Sequence, residues 1–207
     1  SYEQEGRSTV FFGSGTRLLA VAVISDRIKP TTLAALSELR VLGLEICMLT
    51  GDGRKTAASI AAELGIGRYE AEVLPADKDQ FIRRLQAEGR TVAMVGDGIN
   101  DSQALSRADV SIAMGRGTDI AMEVAMVTLM NSDLLLVPRA YKLSRDTVRG
   151  IRQNLFWAFV YNVVGIPIAA GVLYPVWGIL LNPMLASAAM AFSSVSVVLN
   201  SLRLRWK

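Results

Sequence analysis

The chain has 207 residues, 51% of them hydrophobic, with 22 Lys+Arg against 19 Asp+Glu and no histidine. That length allows one substantial domain and something smaller, and the missing histidines exclude imidazole catalysis and imidazole metal sites. The basic excess lies in the tail cations Arg203, Arg205 and Lys207, so the charge pattern gives no case for nucleic-acid binding. Cys47 is the one cysteine; it sits in a strand pattern, reads as a small buried apolar residue and permits no disulfide framework, as expected of a cytosolic face. The N-terminus, SYEQEGRSTVF, has no signal-peptide character and begins in mid-pattern, as if part of something longer.

In chain order, Thr9 to Phe12 and Arg17 to Ile24 read as two strands joined by a Gly13-Ser14-Gly15 turn. GSGT there is a turn rather than a phosphate loop, because no helix follows it. Ser25-Asp26 ends the second strand, and a helix runs from about Thr31 to Leu42, closed by Gly43. The apolar strand Leu44 to Leu49 leads into Thr50-Gly51-Asp52-Gly53 and a helix from about Arg54 to Leu64. A short strand near Glu70 to Val73 precedes Pro75 and a helix from Ala76 to Glu88. The strand Thr91 to Val95 ends in GDGIND, and a helix near Ser102 to Arg107 follows. Val110 to Ala113 forms a strand ending in Gly115-Arg116-Gly117-Thr118-Asp119, with a helix to about Ala125, and Val127 to Met130 completes the series.

Strands alternating with helices at this spacing predict βαβ units and a mainly parallel sheet with helices on both faces. Right-handed crossovers then bring Asp26, the 50–53 loop, the 97–101 loop and the 115–119 loop to one edge, outside the strands' carboxyl ends. Glycines there let the backbone come close, and acids supply hard oxygen ligands, which suits Mg²⁺ and a phosphoryl group. Taken alone, the 96–101 stretch reads equally as a strand-to-helix turn with an Asx cap at Asn100. The second loop of the same kind at residues 50–53 favours the functional reading. Lys78 is the natural cation to approach that edge, although by itself it reads as a solvated lysine at a helix start.

From Asp133 to Arg152 the pattern is an amphipathic helix with Arg139, Lys142, Arg145, Arg149 and Arg152 near one stripe, and residues 153–202 then carry no charge. Leu155 to about Leu173 and Met184 to about Leu202 are each long enough to cross a hydrocarbon core, which takes roughly 20 residues. Tyr174 to Gly178 forms an uncharged turn between them. The flanking arginines put both ends in the cytoplasm. These two spans predict a transmembrane hairpin; a buried core hairpin is the competing reading. Gly165-Ile166-Pro167 should loosen the first span. Asn162 needs a partner in lipid. Met190, Ser193 and Ser194 share one helix face. Thioether sulfur suits a soft monovalent ion such as Cu(I), whereas spacing alone gives helix packing for all three residues.

TGDG, PADK, GDGINDSQAL and GRGTD, followed by NLFWAFVYN and MAFSSVSVVLNSLRL, resemble the C-terminal half of heavy-metal-transporting P-type ATPases of the Cu(I)-exporting class. The resemblance implies a haloacid-dehalogenase-like phosphorylation domain that uses ATP and Mg²⁺, with Cu⁺ as cargo. It implies three segments: residues 1–24 closing a nucleotide-binding domain and adding a first core strand, residues 25–152 forming the phosphorylation domain with a stalk helix, and residues 153–207 forming two membrane helices and a basic tail. Carried over by residue, Asp97 and Asp101 would hold Mg²⁺, and Asn100 and Asp101 would hold the loop and phosphoryl oxygens. Thr50 and Gly51 would hydrogen-bond the phosphoryl group, with Asp52 beside them in the catalytic set, Lys78 would neutralise its charge, and Asp26, Gly51 and Asp52 would lie near the nucleotide. Tyr161, Asn162, Met190 and Ser194 would match the copper-coordinating set.

Implied partners are copper, ATP, the lipid bilayer and a copper chaperone, and the implied location is a multi-pass cell or inner membrane. The family's phosphorylated aspartate in DKTGT and its intramembrane CPC do not occur in this chain, so the chain alone is expected to neither hydrolyse ATP nor pump. Gly53 and Gln103 stand where the family usually has Asn and Pro. Two other readings remain: a membrane-anchored phosphatase with Asp26 as nucleophile, and an inactive regulatory fragment.

Overall fold

The computed structural model describes residues 8–24, 28–96, 99–115, 123–178 and 183–203, with the backbone alone for residues 8–10, 22–24, 99, 177, 183 and 185–190. Two compact units emerge, Ser1–Pro138 and Arg139–Lys207.

In the first unit, β1 (Ser8–Ser14) and β2 (Arg17–Ile24) pair antiparallel, with a bulge at Phe12/Gly13. The turn is Gly15-Thr16, two residues later than the glycines suggest, because Gly13 and Ser14 stay in the ladder and Gly15 takes the left-handed φ of 59°. Beyond the hairpin come α1 (Thr32–Val41), β3 (Cys47–Leu49), α2 (Arg54–Glu63), β4 (Arg68–Glu70), α3 (Pro75–Ala87), β5 (Ala93–Gly96), α4 (Ser102–Arg107), β6 (Val110–Met114) and β7 (Val127–Leu129). The helix expected after Gly115 falls mostly on residues outside those described.

All pairings beyond the hairpin are parallel, in two ladders, β3-β4 and β5-β6-β7. The single sheet expected from the sequence is therefore divided among the described residues. The reason is strand length: β3 and β4 have three residues each, and Leu44 to Ile46 stay outside the ladder. The fourth strand lies at Arg68–Glu70, earlier than the expected Glu70 to Val73, because the chain must turn at Glu72, whose φ is +58°. At the amino ends of β3, β4 and β5, Glu45 takes both Arg90 and Arg68.

Each ladder packs on its own apolar cluster. Leu36 of α1 and Ala61, Leu64 and Ile66 from α2 and its exit close over Ile46 and Met48. Ile82 of α3, Ala104 of α4 and Ala108 close over Val92 and Met94. β6 is the most buried strand, with Ser111, Ile112 and Ala113 all buried. Ser111 tolerates burial because its Oγ accepts the Met126 N–H at 2.9 Å.

The second unit is built from α5 (Leu136–Ala169), which begins in the first unit, α6 (Tyr174–Trp177) and α7 (Pro183–Leu202). The stripe of arginines and the first charge-free segment, expected as separate helices, form one continuous helix. That helix ends at Ala169, short of the expected Leu173. Pro167 lies in its last turn and Gly171 turns the chain at φ +85°, with Val172 N–H closing on the Pro167 carbonyl at 3.1 Å. The uncharged part of α5 is thus shorter than the sequence suggested. No helix among the described residues is long and apolar enough to cross a membrane. The uncharged Tyr174 to Gly178 link is itself a turn of helix, stopped by Gly178 at φ +64°. Near the charged ends of α5 and α7, Asn154 donates to Ser201 at 3.1 Å and Asn200 donates to Asn154 at 2.8 Å.

Candidate functional site

The strongest feature is at the carboxyl end of β5. Lys78 Nζ donates to Asp101 Oδ1 at 2.7 Å, with side chains only 13% and 14% exposed. Each partner comes from a different crossover. Lys78 lies in the first turn of α3, whose start is organised by Asp77: its Oδ2 accepts the Leu74 N–H at 3.3 Å, and Pro75 opens the helix. Asp101 closes a 3-10 turn, Ile99–Asp101, and occupies the N-cap position of α4.

An aspartate in that position ordinarily caps the helix. Here no side-chain cap hydrogen bond forms, and the carboxylate is turned toward Lys78 instead. Asn100 likewise does not serve as the helix N-cap, so the simple capping reading of this loop fails.

Gly96 makes the approach feasible. A Cβ at Gly96 would lie 2.7 Å from Asp101 Oδ2 and 2.9 Å from Asp101 Cβ, so any side chain would displace the acid. Sequence reasoning credited the glycines of this loop with close backbone approach in general. Among the described residues of the loop, Gly96 leaves the Cβ space that Asp101 fills.

The 50–53 loop is built at the carboxyl end of β3. Thr50 Oγ1 donates to Asp52 Oδ2 at 2.7 Å and accepts the Asp52 N–H at 3.1 Å, a local turn that fixes Gly51 between them. The loop is tied to the chain leaving β4: Glu72 N–H donates to the Asp52 carbonyl at 2.9 Å, and Val73 N–H to the Thr50 carbonyl at 3.0 Å. Gly51 lies close to that segment, its missing Cβ 3.8 Å from the Val73 carbonyl. Glu72 reaches this arrangement only in the left-handed region, and its carboxylate meets Arg54 at 3.2 Å. Neither Glu72 nor Arg54 stood out in the sequence, because nothing in a Glu announces a positive φ.

Contacts therefore run without a gap from Thr50 and Asp52 through Glu72 and Val73 to Leu74, Asp77 and Lys78, and on to Asp101 and Gly96. The carboxyl ends of β3 and β4 in one ladder and of β5 in the other supply these groups. Asp26 and Asp97 lie outside the described residues. Among those described, no three His, Cys, Asp or Glu side chains group to hold a metal ion. Asp101 nonetheless contributes a hard carboxylate at a glycine-lined strand end, a donor fit for Mg²⁺.

The residues singled out in the second unit are less gathered. Asn162 Nδ2 donates to the Ala158 carbonyl of its own helix at 2.7 Å, so this exposed amide finds its partner within α5. Tyr161 lines a hollow with Asn154 of α5 and Ser196 and Asn200 of α7. Ser194 lies two residues from Ser196 on α7, and Met190 occupies the same helix.

Residues 1–109 match the family model for haloacid dehalogenase-like hydrolases, and the chain belongs to that family. Over nearly its whole length it is also similar to particular transporters. It is 53% identical to a silver exporting P-type ATPase of Salmonella typhimurium over 97% of this chain and 24% of that protein. It is 51% identical to a copper-exporting P-type ATPase of Legionella pneumophila, over 97% of this chain and 27% of that protein. Among solved structures, a zinc-transporting PIB-type ATPase in its E2.Pi state superposes with a TM-score of 0.81 at 34% identity, over 98% of this chain and 32% of the other. The chain thus spans about a quarter of the length of the curated relatives it matches.

Proposed function

We propose that this chain is part of an ATP-driven Cu⁺-exporting P-type ATPase and forms the Mg²⁺ and phosphoryl side of its phosphorylation site. The acceptor aspartate comes from a DKTGT segment outside the chain. The observation that carries this reading is the Lys78–Asp101 pair at 2.7 Å, nearly buried at a strand end. A cation held there by a carboxylate meets phosphoryl oxygens without having to be ordered first, which is what electrostatic stabilisation of phosphoryl transfer demands.

In this reading Lys78 neutralises the transferring group, and Thr50 Oγ and the Gly51 N–H donate to its oxygens. The Asp52 N–H holds the Thr50 hydroxyl oxygen while its one proton turns from the Asp52 carboxylate to the phosphoryl group, and Asn100 and Asp101 hold the loop. Asp26, Gly51 and Asp52 lie toward the nucleotide. Asp97 and Asp101 would hold Mg²⁺, whose charge would offset that of the phosphates. α5 and α7 form a transmembrane hairpin with both ends cytoplasmic, and Tyr161, Asn162, Met190 and Ser194 contribute to the cargo site. The absence of charge over residues 153–202 supports the membrane assignment. Identities of 51% and 53% to a copper and a silver exporter favour a soft monovalent cargo, as does the thioether of Met190. Copper export also brings a soluble copper chaperone as a partner.

Metal-stimulated ATP hydrolysis by the intact protein tests this. Cu⁺ and Ag⁺ are expected to stimulate and Zn²⁺ to leave the rate at its baseline; stimulation by Zn²⁺ alone overturns the cargo. With Lys78→Met, phosphoenzyme formation is expected to fall by about a hundredfold or more. Unchanged phosphorylation overturns the site.

A further inference from the structure

Two hollows of the second unit meet at Gln153 and Trp157. The larger, about 520 Å³, follows one face of α5 and is lined by Arg145, Arg149, Arg152, Phe156 and Trp157 among others. The second, about 320 Å³, lies between α5 and α7 and adds Asn200 and Arg203. Four guanidinium groups thus border these adjoining hollows, and among the described residues no carboxylate lines either. Arg145 is set in place by stacking over the Tyr141 ring at 5.9 Å. Immediately along the helix from the last arginine, Phe156 and Trp157 pack edge to face at 5.5 Å while remaining 61% and 52% exposed.

Cations, then an exposed aromatic pair, then only uncharged side chains is the order of layers met on entering a bilayer from water. Guanidinium forks pair with phosphate oxygens in bidentate fashion, which an ammonium cannot do. We infer that the face bounded by Arg145, Arg149, Arg152, Trp157 and Arg203 binds the phosphate headgroup of an anionic phospholipid, with Phe156 and Trp157 against the upper acyl chain. This rests on the membrane reading of α5 and α7. It goes beyond that reading by assigning a headgroup class and the residues that select it. An acidic protein surface is the other polyanion of suitable charge, but it gives the exposed aromatic pair nothing apolar to cover it.

The test uses the intact protein in nanodiscs of phosphatidylcholine containing a small fraction of brominated lipid, and follows tryptophan fluorescence against the W157F variant. Brominated phosphatidylglycerol is expected to quench the Trp157 component at a mole fraction roughly tenfold lower than brominated phosphatidylcholine. R149Q/R152Q is expected to abolish that preference while quenching by phosphatidylcholine persists. Equal quenching by the two lipids overturns the headgroup site and leaves the membrane reading standing. A preference that survives R149Q/R152Q also overturns it, as does one erased by an acidic peptide but not by added phosphatidylglycerol. Quenching by neither lipid overturns the membrane reading, and the proposal with it.

Discussion

At the scale of single residues, the site depends on one omission and one pair. Gly96 contributes by lacking a Cβ: Gly96→Ala places a methyl 2.7 Å from Asp101 Oδ2. The expected result is a loss of about 1–3 kcal/mol in urea unfolding, as for overpacked sites. Phosphorylation is expected to fall alongside, because the acid can yield only by leaving Lys78. Gly53 is the internal control. Nothing lies within 4 Å of a Cβ there, so Gly53→Ala is expected to stay within about 0.5 kcal/mol of the parent.

The Lys78–Asp101 pair separates stability from chemistry. Removing one partner strands a nearly buried charge, so Lys78→Met is expected to destabilise by about 3 kcal/mol, whereas Lys78→Met with Asp101→Leu restores much of that loss. Neither variant is expected to accept phosphate. Denaturant midpoints alongside a phosphorylation assay distinguish the two effects, and a double variant that regains activity would show the pair to be structural only.

Elements are joined here by side chains that satisfy backbone groups. Asp109, just before β6, accepts the Val92 N–H at 2.7 Å and thereby aligns the start of β5 with β6. That backbone donor, seconded by Gln86, holds the Asp109 carboxyl below the usual aspartate range. A depressed folded-state pKa means stability that is present above the unfolded value of about 4 and lost as pH falls through the folded one. Asp109→Asn is therefore expected to lower the denaturant midpoint at pH 7, with the gap to the parent closing toward pH 3. A gap independent of pH would assign the effect to packing.

Arg40 does similar work on α2. Its Nη2 donates to the carbonyls of Leu64 and Gly65 at 2.9 and 2.8 Å, filling acceptors that a helix end leaves open. Arg40→Leu, which keeps the apolar stem, is expected to cost about 1 kcal/mol by the same unfolding measurement.

On the scale of the whole molecule, the two units meet different requirements. The first buries two modest apolar clusters under short parallel ladders and exposes its strand-end loops. The second shows Leu155, Phe159, Val163 and Ile166 well exposed along α5. A helix so apolar and so uncovered needs a nonaqueous neighbour, whether bilayer or further protein. If it is bilayer, the intact protein is expected to remain in the pellet after carbonate washing and to require detergent for release; recovery in the wash would refute the hairpin.

Much of this is legible in the sequence alone. Hydrophobic period and glycine-proline punctuation placed nearly every helix of the first unit to within a residue or two, since those signals act locally. Lys78, Thr50 and Asp101 were likewise marked by residue type at strand ends. Other features were decided only in three dimensions. The division of the sheet into two ladders depends on how far short strands can pair, and the late hairpin turn depends on the ladder retaining Gly13 and Ser14. The end of α5 at Ala169 arises from a proline in the last turn and the chain reversal at Gly171. Glu72 in a left-handed conformation, and Asp101 facing Lys78 rather than capping its own helix, are set by partners distant along the chain. Sequence by itself determined which groups arrive at the carboxyl edge, because periodicity and handedness are properties of neighbouring residues. Tertiary structure alone decided which of them touch, because that is governed by packing and charge pairing between segments the chain separates.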